Sequence, residues 1–151
     1  MPESGIELAL SRATGDVLET MFFAAVMEES AEARDDEPAI AVRMAFDGER
    51  KGVLGLRIAM PAARTLASDF LGIDSADGPA ESQVHEVVRE LANMICGDAL
   101  STLETKPLCL SAPRIVPISE FVLPARGKYR SFDLGNGRLT VALELEEKTH
   151  G

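Results

Sequence analysis

Apolar residues recur at three- and four-residue spacing in three parts of the chain, and this periodicity predicts three helices. The first is expected over residues 11–29, with Asp16 as a candidate N-cap. The second begins at Pro61, which suits the first turn of a helix, and ends at Gly72, a C-capping glycine. The third, residues 81–104, is the longest and is followed by a proline.

Alternation of apolar and polar residues predicts two β-hairpins. They comprise residues 40–46 with 52–60 and residues 128–134 with 138–146. An Asp-Gly turn joins the first pair, and a Gly-Asn-Gly turn at residues 135–137 joins the second. A further strand is expected within residues 108–118. Loops or frayed ends are expected at residues 1–5, 28–37, 73–82 and 144–151.

The order of these elements predicts the fold class. Hairpins flank the helices instead of alternating with them singly, which favours the α+β class. We therefore predict a mostly antiparallel sheet with helices packed on it. The chain has 151 residues, of which 46% are hydrophobic, enough to bury a core in a single domain, residues 1–151.

The net charge of the chain limits which classes of molecule it is expected to bind. The formal net charge is −10, which argues against nucleic acid, because binding to nucleic acid depends on Lys and Arg at the phosphates. A partner with a positively charged surface fits better. The N-terminus lacks the basic start of a signal peptide, and no apolar run approaches the roughly 20 residues that span a bilayer. We expect a cytoplasmic protein with no membrane contact.

The residue types that most often hold metals or disulfides are few and scattered. Cys96 and Cys109 lack metal-type spacing and are too few for a disulfide framework. His85 and His150 lie in no metal-binding motif. All four are interpreted as packing or surface residues, and no metal site is predicted.

The longest predicted helix has two unlike sides. At about 100° per residue, its buried stripe comprises Val84, Val87, Val88, Leu91, Ile95 and Ala99. The opposite side comprises Glu86, Glu90, Asn93, Gly97 and Glu104. The simplest interpretation of this second side is the solvated face of an amphipathic helix.

Asn93 and Gly97 do not suit a merely solvated face. Asparagine is a mediocre helix-interior residue because its amide competes for backbone hydrogen bonds. An exposed helical glycine costs about 1 kcal/mol relative to alanine. Gly97 would, however, leave a shallow platform on which another molecule can approach the helix backbone.

Glu90 and Asn93 are three residues apart, so their side chains project side by side. A carboxamide has no useful pKa, but it can donate to and accept from a water molecule and so hold it in line. Phosphoryl transfer depends on such positioning, and the carboxylate could anchor a Lys of a partner. Without metal ligands or a phosphate-binding loop nearby, this pair could only complete the active site of another protein.

The segment ELANMICGDALSTLE resembles the CheX/CheC family of chemotaxis phosphatases. The family signature is an acidic residue or Ser, three residues, Glu, two residues, Asn, three residues and Gly. The matching positions are Glu86, Glu90, Asn93 and Gly97, where Glu86 is longer than the usual Asp or Ser. The resemblance covers nearly the whole chain, including residues 19–21, 52–72, 112–119 and the closing hairpin.

The resemblance implies a phosphatase of a phosphorylated CheY-like response regulator. Asn93 would enter the regulator's active site and position the attacking water, and Glu90 would meet a Lys of the regulator. Glu86 and Gly97 would contact the partner. The Mg²⁺ would belong to the regulator, so that the chain needs no cofactor of its own. The family also implies a CheC-like pseudo-repeat of two halves and a homodimer joined at a sheet edge.

A short internal repeat bears on the number of active sites. Residues 16–26 align on residues 87–97. Three pairs of positions coincide: Glu19 with Glu90, Phe22 with Asn93, and Val26 with Gly97. The first copy has no amide, so we predict one active site, as in CheX-like members. Coincidence between two amphipathic helices would also explain so short an alignment.

Two other functions are compatible with the sequence. The domain could dock a receiver, or take part in a flagellar-switch assembly, without catalysis. It could also be a purely structural dimerising domain, as a merely solvated helix face would suggest. A docking surface has no need of an amide at Asn93, which favours the enzyme, and a phosphate-release assay distinguishes catalysis from docking.

Overall fold

The computed structural model describes residues 4–30, 38–73, 76–103, 108–124 and 128–146. The helices are α1 (Ser4–Met21), α2 (Met60–Leu71) and α3 (Glu81–Leu103), with a 3-10 helix at Ile118–Glu120. The strands are β1 (Glu28–Ser30), β2 (Ala39–Asp47), β3 (Lys51–Ala59), β4 (Cys109–Leu110), β5 (Arg114–Val116), β6 (Tyr129–Asp133) and β7 (Arg138–Leu145).

All seven strands belong to one antiparallel sheet in the order β1-β6-β7-β3-β2, with β4 and β5 both pairing with the outer side of β2. The helices pack on one face of this sheet, where α1 contacts α3 and α3 contacts β2, β3 and β5. The predicted α+β class with a mostly antiparallel sheet is confirmed.

The sheet is built from two halves that exchange short strands. Each half runs helix, short strand, hairpin: α1, β1 and β2-β3 in the first, and α3, β4 with β5 and β6-β7 in the second. The short strand of each half pairs with the hairpin of the other, and β3 joins β7 at the centre. The order of strands from either edge to the centre of the sheet is therefore the same, a short strand followed by a hairpin, which confirms the predicted pseudo-repeat.

The hydrophobic core lies between the helices and the inner face of the sheet. Strand β2 shows the alternation that puts it there, because every second side chain is buried against the helices. These residues are Ile40, Val42, Met44 and Phe46. Each fully buried aliphatic side chain stabilises the fold by about 1.5–3 kcal/mol because it leaves water. The packing of the helices on the sheet is therefore strongly favoured.

Helix α1 begins and ends about seven residues before the predicted positions. Its buried residues extend upstream to Ala9 and Leu10, so packing against α3 keeps Gly15 inside the helix despite its poor propensity. Asp16 therefore lies in the helix interior, and the expectation that it caps the helix is wrong. Residues 4 and 5, expected to be frayed, are helical, whereas residues 1–3 lie outside the described ranges.

The chain leaves α1 through a left-handed residue. Phe23 has φ 54°, and the N–H of Ala24 donates to the carbonyl of Leu18, six residues earlier, at 2.9 Å. The backbone thereby turns towards β1 and stops the helix before residue 29. Phe22 is fully buried, with its ring stacked on Phe70 at a centroid distance of 4.7 Å.

Part of the acidic stretch forms a strand, so the prediction of a solvated loop over residues 28–37 is wrong at its start. Strand β1 pairs with β6, and Arg130 of β6 donates to Glu29 at 2.8 Å and lies 3.6 Å from Glu7 of α1. The charge of Arg130, which is distant in sequence, explains why the carboxylates of Glu7 and Glu29 can lie against the sheet. Residues 31–37 are outside the described part of the chain.

The expected strand within residues 108–118 is two short strands followed by a 3-10 helix. Between them, the N–H of Ser111 donates to the carbonyl of Ala45, and the Ser111 hydroxyl accepts from the N–H of Ala45. Pro113 cannot donate to the ladder, and the chain bulges there. At the C-terminus, Glu144 and Leu145 complete β7 instead of fraying, and residues 147–151 are outside the described ranges.

Both hairpins and α2 are confirmed. Helix α2 starts with a proline in its first turn and ends at Gly72, whose φ of 68° suits glycine. In the second hairpin turn, Asn136 donates to Thr65 of α2 at 2.7 Å. That bond fastens the hairpin tip to the helix.

Candidate functional site

Helix α3 is fixed at its start and along its apolar side. The N–H of Ala80 donates to the side chain of Gln83 at 2.8 Å, which is half of a capping box. The six residues of the predicted stripe are all buried, together with Ala92, Cys96 and Leu100. The polar side is thereby held outward, as predicted, while Glu104 lies just beyond the described end of the helix.

Three of the four predicted site residues line one open groove of about 690 Å³. Glu86 and Glu90 are exposed, and Asn93 is half-buried on the same polar side of α3. Neither Glu90 nor Asn93 has a side-chain hydrogen bond or ion pair to another residue in the described part of the chain. The carboxylate and the carboxamide are thus both available to a molecule that enters the groove.

The far wall of the groove comes from the bulge between β4 and β5. Leu110, Ser111, Ala112 and Pro113 line it. Because Ser111 bonds to Ala45 through both its backbone and its hydroxyl, this wall is tied to strand β2. The sequence pattern of residues 108–118 predicted one strand there and gave no sign that the segment lies beside α3.

Arg89 also lines the groove and is not among the predicted site residues. It lies three residues after Glu86 and four before Asn93, the spacing that puts side chains on one helix stripe. That spacing could have identified it. Its guanidinium lies 3.4 Å from the carboxylate of Glu86.

Gly97 lies one turn beyond Asn93 and is not among the residues that line the groove. A Cβ placed on Gly97 would be 3.9 Å from Cδ1 of Leu110, an ordinary van der Waals distance. Nothing among the described residues therefore requires glycine at this position on steric grounds. The predicted role of Gly97 in partner contact stays a prediction.

The cysteines behave as packing and surface residues. Cys96 is buried on the inner side of α3, and this burial raises the pKa of its thiol to about 12, so it is not a nucleophile at neutral pH. Met94 packs against the core, and Cys109 is exposed. Within the described ranges, no group of three or more His, Cys, Asp or Glu could hold a metal ion.

The first copy of the internal repeat does not build a second groove. Phe22 lies just beyond the last residue of α1 with its side chain in the core, and Val26 lies in the segment that leads to β1. Val26 therefore lies outside α1, whereas Gly97, with which it aligns in sequence, lies within α3. The side chain at position 22 points away from solvent, whereas Asn93 faces a groove.

Chemically, the groove offers one free carboxylate, one free carboxamide and one loosely held guanidinium. The hydroxyl of Ser111 accepts a hydrogen bond from the N–H of Ala45, and the described residues include no group of three or more His, Cys, Asp or Glu that could hold a metal ion. Such a set can bind charged groups and orient a water molecule, but it needs the reacting group and its counter-ion from elsewhere.

None of the helices in the described part of the chain is long and apolar enough to cross a membrane.

Comparison with known proteins gives one family and one fold. The family model described as "Chemotaxis phosphatase CheX" matches residues 40–132. No curated protein sequence gives a significant match.

Solved structures of the same fold cover nearly the whole chain. CheX of Borrelia burgdorferi, in a CheX-CheY-BeF3-Mg²⁺ complex, has a TM-score of 0.75 at 16% identity, over 94% of this chain and 98% of that chain. CheX of Desulfovibrio desulfuricans has a TM-score of 0.70 at 19% identity, over 93% and 99%. A CheC-like superfamily protein of Shewanella sp. PV-4 has a TM-score of 0.68 at 18% identity, over 95% and 98%.

Proposed function

Because the chain belongs to the CheX family of chemotaxis phosphatases, we propose that it hydrolyses the phosphoaspartate of a CheY-like response regulator. The observation that carries the proposal is the groove in which Glu90 and Asn93 stand side by side without partners among the described residues. The arrangement is half of an active site, and the phosphorylated regulator is the other half.

In the proposed reaction, Asn93 acts on water. Its amide oxygen accepts a hydrogen bond from a water molecule and its NH₂ group donates to the phosphoryl region, which holds the water in line with the bond that breaks. The water oxygen bonds to phosphorus, and the bond between phosphorus and the aspartate oxygen breaks. The products are inorganic phosphate and the free carboxylate of the regulator. Holding the water in place supplies the catalytic effect by orientation.

Glu90 binds in this proposal and does not transfer protons. Its exposed carboxylate pairs with a Lys of the regulator, which sets the depth and angle at which Asn93 enters. The regulator supplies the Mg²⁺, in keeping with the CheX-CheY-BeF3-Mg²⁺ composition of the Borrelia burgdorferi complex. Glu86 and Gly97 take part in partner contact.

The test is Asn93→Ala with a regulator phosphorylated in the presence of Mg²⁺. We expect release of inorganic phosphate to fall by about 100-fold or more towards the rate of the regulator alone, since one misplaced reacting group can cost that much. Asn136→Ala is the matched control, because it removes an asparagine amide in the hairpin turn, away from the groove. Unchanged phosphate release in Asn93→Ala would contradict the mechanism.

A docking domain without catalysis gives a different result. It would bind a regulator loaded with BeF3 and Mg²⁺ yet leave the rate of regulator dephosphorylation at its intrinsic value.

We also propose, from the family resemblance, that the protein is a homodimer; sedimentation of the purified chain tests this. Its cytoplasmic location and the assignment of residues 1–151 to a single domain stay predictions.

A further inference from the structure

Arg89 is the single cation among the described residues that line the groove. It shares the wall with Glu86, Glu90 and Asn93, in a chain whose formal net charge is −10. Its side chain is 39% exposed, so part of it is packed and part of it is open to solvent.

The bond that holds Arg89 is weak. Its NH2 atom lies 3.4 Å from Oε1 of Glu86, a long distance for a charge-assisted hydrogen bond. The side chain of Glu86 is 74% exposed, and ion pairs this open to water contribute little and are screened by salt. A carboxylate on a partner can therefore take the place of Glu86 at small cost.

The direction of the side chain decides which part of a partner it can meet. Side chains on a helix lean towards its N-terminus, and the contact with Glu86 places the guanidinium one turn N-terminal of Arg89. Asn93 leans the same way but starts one turn later. The guanidinium thus lies further towards the N-terminus of α3 than the amide of Asn93 does.

We propose that Arg89 binds a carboxylate on the surface of the response regulator, beside its phosphorylation site, and so contributes to the choice of partner. This inference rests on the proposed function. Glu90 and Arg89 are neighbours of opposite charge, so the groove matches a regulator that presents a cation and a carboxylate in the complementary order. Glu86 is then a positioning residue, which holds the guanidinium until the partner arrives.

The test compares Arg89→Glu, Arg89→Lys and the control Arg64→Glu in dephosphorylation of the regulator. Arg64 is exposed on α2 and does not line the groove, and its replacement changes the net charge by the same amount. We expect Arg89→Glu to raise KM about tenfold, as a like charge at an interface would, with kcat within about twofold. Arg89→Lys keeps the charge and recovers most of the affinity, and Arg64→Glu leaves both constants unchanged.

The dependence on salt gives a second readout. With the wild-type protein, KM rises with ionic strength, and Arg89→Glu changes this slope because an attractive pair has become a repulsive one. A further arm replaces acidic surface residues of the regulator by Lys, one at a time. One of these replacements should restore a low KM with Arg89→Glu and raise it with the wild-type protein.

Other outcomes overturn the inference. If kcat falls and KM does not change, the guanidinium acts on the phosphoryl group and the carboxylate assignment is wrong. If neither constant changes while the wild-type protein is active, Arg89 has no role in recognition although the proposed function stands. If the wild-type protein does not accelerate dephosphorylation at all, the proposed function itself fails. Circular dichroism and thermal unfolding of each variant exclude loss of fold as the cause.

Discussion

Leu110, which lines the groove, also lies beside Gly97 of α3: its Cδ1 is 3.9 Å from the position that a Cβ on Gly97 would occupy. Packing against the described residues therefore does not require a glycine at this position. It leaves the backbone of α3 open next to the half-buried Asn93, on the side from which the proposed partner approaches.

Gly97→Ala separates folding from partner contact. Alanine fits without a clash and is the better helix former, so we expect the free energy of unfolding to rise by about 0.5–1 kcal/mol. The added methyl group keeps the regulator from approaching fully, and kcat/KM should fall by about tenfold or more. Urea denaturation and phosphate release measure the two effects. A more stable variant with full activity would show that the proposed partner does not need this clearance.

Glu90→Gln tests the proposed anchor. Glutamine keeps the size and the helix but loses the charge, so we expect KM for the phosphorylated regulator to rise about five- to tenfold with little change in kcat. The wild-type KM should increase with salt more steeply than that of the variant, because the lost interaction is electrostatic. A large loss of kcat instead would mean that Glu90 takes part in the chemical step.

Phe22→Asn would restore the amide to the first copy of the internal repeat, yet we expect no second active site. Phe22 is fully buried and stacked on Phe70, and replacing a core phenylalanine by a small polar residue costs about 4 kcal/mol or more. Denaturant titration should show this loss of stability. A variant that is stable and has twice the activity per chain would contradict the burial-based argument.

Cys96 makes stability depend on alkaline pH. Burial raises the pKa of this thiol from 9.0 to about 12, so the folded protein holds the proton more tightly than the unfolded chain does. The resulting stabilisation is complete below pH 9 and is lost as the pH rises from 9 towards 12. We expect the stability difference between the wild type and Cys96→Ala to fall by about 1.4 kcal/mol between pH 8 and pH 10. An equal difference at both pH values would contradict the burial of the thiol.

The exposure of the two thiols offers an independent check on the same point. Cys109 is exposed, so a thiol reagent should label one site per folded chain and two after denaturation. Rapid labelling of both in the folded protein would show that α3 does not shield Cys96.

The sequence by itself determined the elements whose signals are local. Both hairpins, α2 with its Pro and Gly ends, and the two sides of α3 follow from alternation, turn residues and helical spacing within a few neighbouring residues. The spacing of Glu90 and Asn93 likewise needed only the geometry of one helix, since residues three apart always share a face. The signature of the family resemblance lies in this same stretch.

The tertiary structure decided everything that depends on distant partners. It extended α1 upstream because packing on α3 outweighs the poor helix propensity of Gly15. It made a strand of residues 28–30 because they pair with β6 and because Arg130 donates to Glu29. It buried Phe22, so the first copy of the repeat presents no side chain to solvent at the position that corresponds to Asn93. It also built the groove itself, by bringing the bulge at Ser111–Pro113 beside the side of α3 that carries Arg89, Glu90 and Asn93. No local pattern specifies these contacts, because each joins segments that only the folded chain brings together.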